Sequence, residues 1–258
     1  MQDRWIGSIL RVATALAFST VLFAQTSTRP EAAKSTPDLS GVWQQAPGRG
    51  QLRLTEEEPP FQMWAREIYK VNRGGAYNSD GSGVNGLDPE MYCLPDGVPR
   101  IYTTPTPIEI VQVPGRLYML FQSLQNPLPR YIYTDGRGHP DGFPLTFMGH
   151  SIGHWDGDTL VVDTVGLDEL SWMDTAGTPH SDALHVVERL RRVAQDTLEV
   201  NLQFEDPKAF TRPWTAKKVF KLYPDWQMVP GLTCEDRFRA DFEKKSLRDK
   251  KEWIERPR

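Results

Sequence analysis

Four of the five histidines fall in one stretch between Met148 and Asp206: His150, His154, His180 and His185. Asp163, Glu188, Arg189 and Arg191 sit among them. A carboxylate beside an imidazole fixes its tautomer and raises its basicity, as a general base requires. The stretch reads as two β-hairpins. A two-residue turn at Asp156-Gly157 places His150 opposite Asp163, their Cβ atoms about 5 Å apart. His150 is therefore the candidate base and Asp163 its orienting carboxylate, with His154 two positions along the same face. A second turn at Gln195-Asp196 pairs Arg191 with Val200, Arg189 with Leu202, Val187 with Phe204 and His185 with Asp206. That face is apolar along one strand and should point to the core, leaving Glu188 and Arg192 on the outer wall. His185 then serves as a second acid/base. Long cations on an apolar face must be paired, snorkel to a rim or meet an anion. Arg189 and Arg191 are therefore read either as an interior clamp for a carboxylate, phosphate or enolate oxygen, or as a snorkelling rim or internal ion pair with Asp163 or Asp206. Arg130 and Tyr133 are further ligand contacts at the same mouth, whereas Asp135 to His139 reads as a plain turn with an exposed histidine.

The catalytic reading requires His150, Asp163, His185 and Arg189 to converge on one pocket. It fails if either histidine points to bulk solvent on the outer wall. Ser151 faces away from His150, which counts against a Ser/His nucleophile. No HExxH, GxSxG, Walker loop or GxGxxG is present, so cofactor-independent proton transfer is the chemistry expected. A divalent metal on His150, His180 and His185 is the fallback, without a fixed motif behind it.

The elements that must position these groups are mainly strands. From Ile108 onward, runs of β-branched and aromatic residues alternate with turn signals: IEIVQV, RLYMLFQS, RYIYT, the two hairpins, WTAKKVFKLYP and GLTCEDRF. Eight to ten antiparallel strands in a meander predict a barrel or sandwich, most simply a lipocalin-like barrel. Residues 53–73 read as a helix, with Thr55 and Glu58 as a capping box and Phe61, Trp64, Ala65, Ile68 and Tyr69 on its packing face. Residues 75–107 form a long turn-rich segment, of a length that is usually functional or pinned.

The chain of 258 residues carries a net charge of −4, against a nucleic-acid footprint. Arg4 and Arg11 precede an apolar run from Val12 to Ala24, short for a bilayer span and suited to a signal peptide. Residues 1–24 are read as that signal, 25–37 as a linker, 38–238 as one β domain and 239–258 as a charged tail. Export to the periplasm or beyond leaves no membrane span after signal removal. It also gives Cys93 and Cys234, the only two cysteines, an oxidising setting for one disulfide.

Taken together, MYCLPDGVPRIYTTPTPIEIVQVPGRLYML, RYIYTDGRGHP, MGHSIGHWDGDTLVVDTVG, HSDALHVVERLRR and DTLEVNLQFEDPKAFTRPW resemble a family of secreted bacterial hypothetical proteins. The resemblance covers roughly residues 38–238; it implies export and a single barrel-like unit, and no reaction. DLSGVW, with Gly41 and Trp43, is similar to the first strand of lipocalin-like (calycin) barrels. Two functions are expected. One is an acid–base enzyme of lyase, isomerase or hydrolase type, acting on a small anionic or carbonyl-bearing ligand in the barrel pocket. The other is a non-catalytic ligand-binding or structural envelope protein. The oligomeric state is not encoded in any motif.

Overall fold

In a computed structural model, the structure describes residues 36–46, 52–74, 87–122 and 127–229. The chain divides into two units, Met1–Ser35 and Thr36–Arg258. The signal, nearly all of the linker, the strand expected at GLTCEDRF, Cys234 and the tail lie outside the described residues.

Nine strands close into a barrel in sequence order: β1 (Gly41–Gln45), β2 (Ile108–Val113), β3 (Arg116–Phe121), β4 (Arg130–Tyr133), β5 (His150–Asp156), β6 (Thr159–Val165), β7 (His185–Ala194), β8 (Thr197–Glu205) and β9 (Trp214–Leu222). β1 pairs with both β2 and β9, which removes the open edges. The alternation read in the sequence fills the interior. Ile108 and Ile110, Leu117 and Met119, Leu160 and Val162, and Leu198, Val200, Leu202 and Phe204 all point inward and are buried. Trp43 is buried in this core, its indole N–H donating to Leu39 O at 2.9 Å.

The barrel is not wholly antiparallel. β4 and β5 run parallel, Ile132 beside Ser151. Parallel neighbours need a connection of about a dozen residues or more to return the chain to its starting end. Here residues 134–149 make that return, outside the barrel wall. Gly149 lets the chain re-enter the sheet at φ +62°, where a Cβ would sit 2.6 Å from Val165 O.

Both central hairpins depart from the expected register. At the first, Asp156 pairs with Thr159, so the turn is Gly157-Asp158. Gly157 has φ +63° and Asp158 does not have positive φ, the pattern of a turn with glycine at its first central position. The pairing moves by two residues: Asp163 stands opposite Ile152, and His150 opposite Val165. A two-residue slip keeps every face, so His150 and Asp163 still share one. At the second hairpin the turn is where expected, with Ala194 paired to Thr197. A bulge between Arg192 and Ala194 then shifts the ladder by one. A one-residue shift flips all side chains. Glu188 therefore points into the barrel opposite Leu202, while His185, Arg189 and Arg191 point out.

The helix, α1 (Met63–Gly74), begins ten residues later than expected. Pro59 and Pro60 supply no N–H and disfavour helix before them. Thr55 Oγ1 instead accepts from Glu57 N in a local turn. Ala65, Tyr69 and Asn72 form its buried face, continued by buried Phe61 just before the helix, and Trp64 and Ile68 remain exposed. Phe61 meets Tyr69 and Phe210 with ring centroids 4.9 and 5.7 Å apart. No described helix is long and apolar enough to cross a membrane. Within the segment 87–107, Val98, Ile101 and Tyr102 are buried in the same core as the barrel strands.

Candidate functional site

His150, Asp163 and His185 do come together, but on the outside of the barrel wall. They project from β5, β6 and β7, on the face opposite to Ser151, Val162 and Glu188. The residue that joins them is His139, from the return segment. Its Nδ1 lies 2.8 Å from His150 Nδ1, and its Nε2 lies 3.1 Å from Asp163 Oδ1. His185 Nε2 reaches the same Asp163 Oδ1 at 3.0 Å. Asp163 thus orients His150 through an intervening imidazole and not directly across the ladder.

His150 is not in bulk solvent. It is 7% exposed, with Tyr133 stacked on it at 5.4 Å and Phe143 of the return segment at 5.0 Å. His185 is less covered, its side chain 35% exposed on the wall. The parallel β4–β5 pairing explains the arrangement, because it obliges residues 134–149 to pass over β5. The spacing within GRGHP carries no signal of this, so His139 is missed from sequence.

The hydrogen-bond pattern fixes the tautomers. A carboxylate only accepts, so His139 Nε2–H and His185 Nε2–H donate to Asp163. Neutral His139 then accepts at Nδ1 from His150 Nδ1–H. This leaves the lone pair of His150 on Nε2, which has no partner among the described residues. Burial, then the neighbouring His139 and Arg137, hold His150 below the usual histidine pKa. It is neutral at pH 7 and can take a proton. The charge formed would be stabilised through His139 by Asp163.

The other expected site residues lie elsewhere. Arg189 and Arg191 are exposed on the outer wall, bonded to Asp156 and Asp158 at 2.7 and 2.8 Å. The interior clamp expected of them does not form, because the bulge turns them outward. Arg189 therefore does not join His150, Asp163 and His185, and His185 lies partly exposed on the outer wall. The four-residue pocket required above is not formed; what remains is His150 alone as a candidate base. Arg130 is fully buried inside the barrel. Its guanidinium donates to both oxygens of Glu188 (3.1 and 2.7 Å), to Ser151 Oγ, to Thr164 Oγ1 and to Tyr102 Oη. With Nε also on Ser151 Oγ, all five donors are engaged, and none remains for a ligand. Tyr133, expected beside Arg130, points the other way and joins the histidine cluster. Glu188, expected on the outer wall, is the buried counter-ion.

His180 is apart from His150 and His185. It is buried, donating from Nδ1 to Ser181 O and accepting from Ser171 Oγ at 3.1 Å. The fallback trio for a metal is therefore not assembled. Among the described residues no group of three or more His, Cys, Asp or Glu is placed to hold a metal ion. In the histidine cluster the nitrogens are turned on one another and on Asp163, not toward a common point.

A second ionisable cluster lies in the segment 87–107. Buried Arg100 forks onto Asp88 at 2.8 and 2.7 Å, touches Glu90 at 2.7 Å and lies 3.6 Å from Asp96. Three carboxylates share one cation. Burial, and then Asp96 beside it, push the Glu90 carboxyl up from 4.5 to about 8. A carboxyl raised by folding binds more protons folded than unfolded. Its stabilisation is complete below pH 4.5 and is lost as pH rises toward and through about 8. Glu90→Gln should flatten the fall in melting temperature between pH 5 and 8. An unchanged slope in the variant would exclude Glu90 as its source.

No protein-family model and no curated protein matches the chain. Among solved structures, it is similar to a secretary abundant heat soluble (SAHS) protein from Ramazzottius varieornatus. The identity is 11% over 72% of this chain and 95% of that one, with a TM-score of 0.31. At that score the likeness carries no argument about this chain.

Proposed function

We propose that this is an exported acid–base protein that acts on a small anionic or carbonyl-bearing ligand at the outer wall, with His150 as general base. The hydrogen-bonded run from Asp163 through His139 to His150 carries this reading. It supplies a neutral imidazole with an open Nε2, a carboxylate to stabilise the charge it acquires, and an aromatic enclosure from Tyr133 and Phe143. Proton abstraction beside a carbonyl, in a lyase or isomerase, suits these parts best. The barrel interior is the less suitable place, because Arg130 and Glu188 are mutually satisfied there among packed apolar side chains. A ligand-binding role without catalysis uses the same wall.

The test is deuterium uptake. Purified mature protein in D2O is incubated with a panel of small ketones, keto acids and carboxylic acids, and loss of the α-hydrogen signals is followed by proton NMR. Catalysed exchange is expected for at least one compound and should vanish in His150→Ala. Compounds that bind without exchanging would replace the enzyme reading with the binding one.

Cys93 and Cys234 are proposed to form one disulfide in the exported chain, which the entropy model values at about 4–5 kcal/mol for so long a loop. Thiol titration of denatured, unreduced protein should find no free thiol; two would refute the pairing.

A further inference from the structure

We propose that the His139–His150 contact is a proton-operated latch: residues 135–143 stay closed over His150 while the two imidazoles share one Nδ1 proton, and are released when both nitrogens carry one. It rests on the placement of the site at this wall and deepens it by naming what keeps that site assembled: the closed strap, with Phe143 walling a neutral His150, is the competent state, and opening on acidification dismantles it.

The geometry sets the rule. Two Nδ1 atoms at 2.8 Å can be bridged only if one donates and the other accepts. A single extra proton is tolerated on either ring, at His150 Nε2 or on His139, since one Nδ1–H then still donates to the other Nδ1. A second proton on the pair leaves two N–H groups facing each other between two cations. The hydrogen bond becomes a repulsive contact.

The ends of the segment are held: Thr134 N donates to Gly115 O at 2.9 Å, Asp168 N to Thr146 O at 3.0 Å and Val98 N to Phe147 O at 2.9 Å, and Met148 is buried in the core. The stretch 135–143 between them has fewer ties. Phe143 packs on His150 at 5.0 Å. Thr146 N donates to Gly166 O at 2.9 Å and anchors the far end. Between them and β4, the residues from Asp135 to Gly138 and from Pro140 to Gly142 are exposed. His139 is the polar tie in the middle.

The charges facing the pair work in both directions. Within the segment, Arg137 is neutralised by Asp135 at 2.5 Å and lies over the Tyr133 ring at 4.0 Å. From β3, Arg116 lies 4.8 Å from the same ring, with no carboxylate within 4 Å among the described residues. β5 also carries exposed His154 on this face, β6 contributes Asp163, and β7 contributes His185. Among the described residues, Asp163 is the sole carboxylate bonded to the cluster. Shared between His139 and His185, it can offset one added proton better than two. Burial of His150 delays the second proton below pH 6.5, so the latch is closed at neutral pH and opens on acidification.

The latch is read without reference to catalysis. Full-length mature protein with ring-labelled histidine and phenylalanine is followed by NMR from pH 8 to pH 5. The cross-peak between the Phe143 and His150 rings reports closure, and the imidazole nitrogen shifts report protonation. The cross-peak should fall on the order of tenfold, the scale of one lost hydrogen bond. Its midpoint should coincide with the second protonation of the His139–His150 pair. His139→Gln should abolish the coincidence, and Asp163→Asn should move the midpoint to lower pH, while His154→Gln should do neither. A cross-peak that persists after both imidazoles are protonated overturns the latch, as does one lost at the same pH in His139→Gln. Because no substrate enters, a failed deuterium-uptake screen with an intact pH transition would separate loss of the catalytic reading from loss of this one.

Discussion

Arg130→Met should cost about 3–5 kcal/mol of folding stability, measured from urea unfolding midpoints. Arg130 and Glu188 are both fully buried. Removing the guanidinium leaves the Glu188 carboxylate in a low-dielectric interior without its two charge-assisted hydrogen bonds. Ser151 and Thr164 suffer less, because their hydroxyls also bond each other at 2.9 Å. The size of the loss reflects a stranded charge more than the net worth of the pair. The double variant Arg130→Met/Glu188→Leu should therefore recover most of it, since both charges are gone and the space is refilled with apolar atoms. If the double variant is as unstable as Arg130→Met, the pair itself is stabilising. The barrel would then depend on this ion pair for its packing and not only for specificity.

His150→Ala should lower catalysed deuterium exchange by about 10²- to 10⁴-fold, the usual contribution of a positioned base. Ligand binding should change little, because Tyr133 and Phe143 still wall the site. Asp163→Asn should cost less and alter the pH profile instead. In the parent protein, exchange should rise with pH through the depressed His150 value, below 6.5, and level off near neutrality. Without the Asp163 charge the imidazoles bind protons less readily, so the rising limb should move to lower pH and the plateau should drop. A rising limb that stays in place in Asp163→Asn would show that His139 does not couple the carboxylate to His150. An effect on binding equal to that on exchange, in His150→Ala, would favour a non-catalytic binder.

The mainly β character of the chain is legible in the sequence because alternation with period two is a local property. IEIVQV, RLYMLF and TLEVNLQFE each fix which side chains share a face before any partner strand is known. Turn residues give the hairpins and their order. The same local signals bring His150 and Asp163 to one side of the sheet, and that survives a two-residue change in register.

What the local pattern does not contain is where a ladder slips. One extra residue at Val193 inverts β7, sending Glu188 inward and Arg189 and Arg191 outward. The core favours this, because it lets Val186 and Leu190 face Phe204 and Val200. An adjacent buried Arg130, from a strand far away in sequence, then satisfies Glu188. The site has the same origin. His139 belongs to no periodic element, and only the parallel closure of β4 on β5 lays its segment across the wall. The residue types that could do acid–base chemistry were set by the sequence alone. Their meeting around Asp163, outside the barrel and under a strap, was decided by tertiary structure, because long-range strand pairing determines which face each loop must cross.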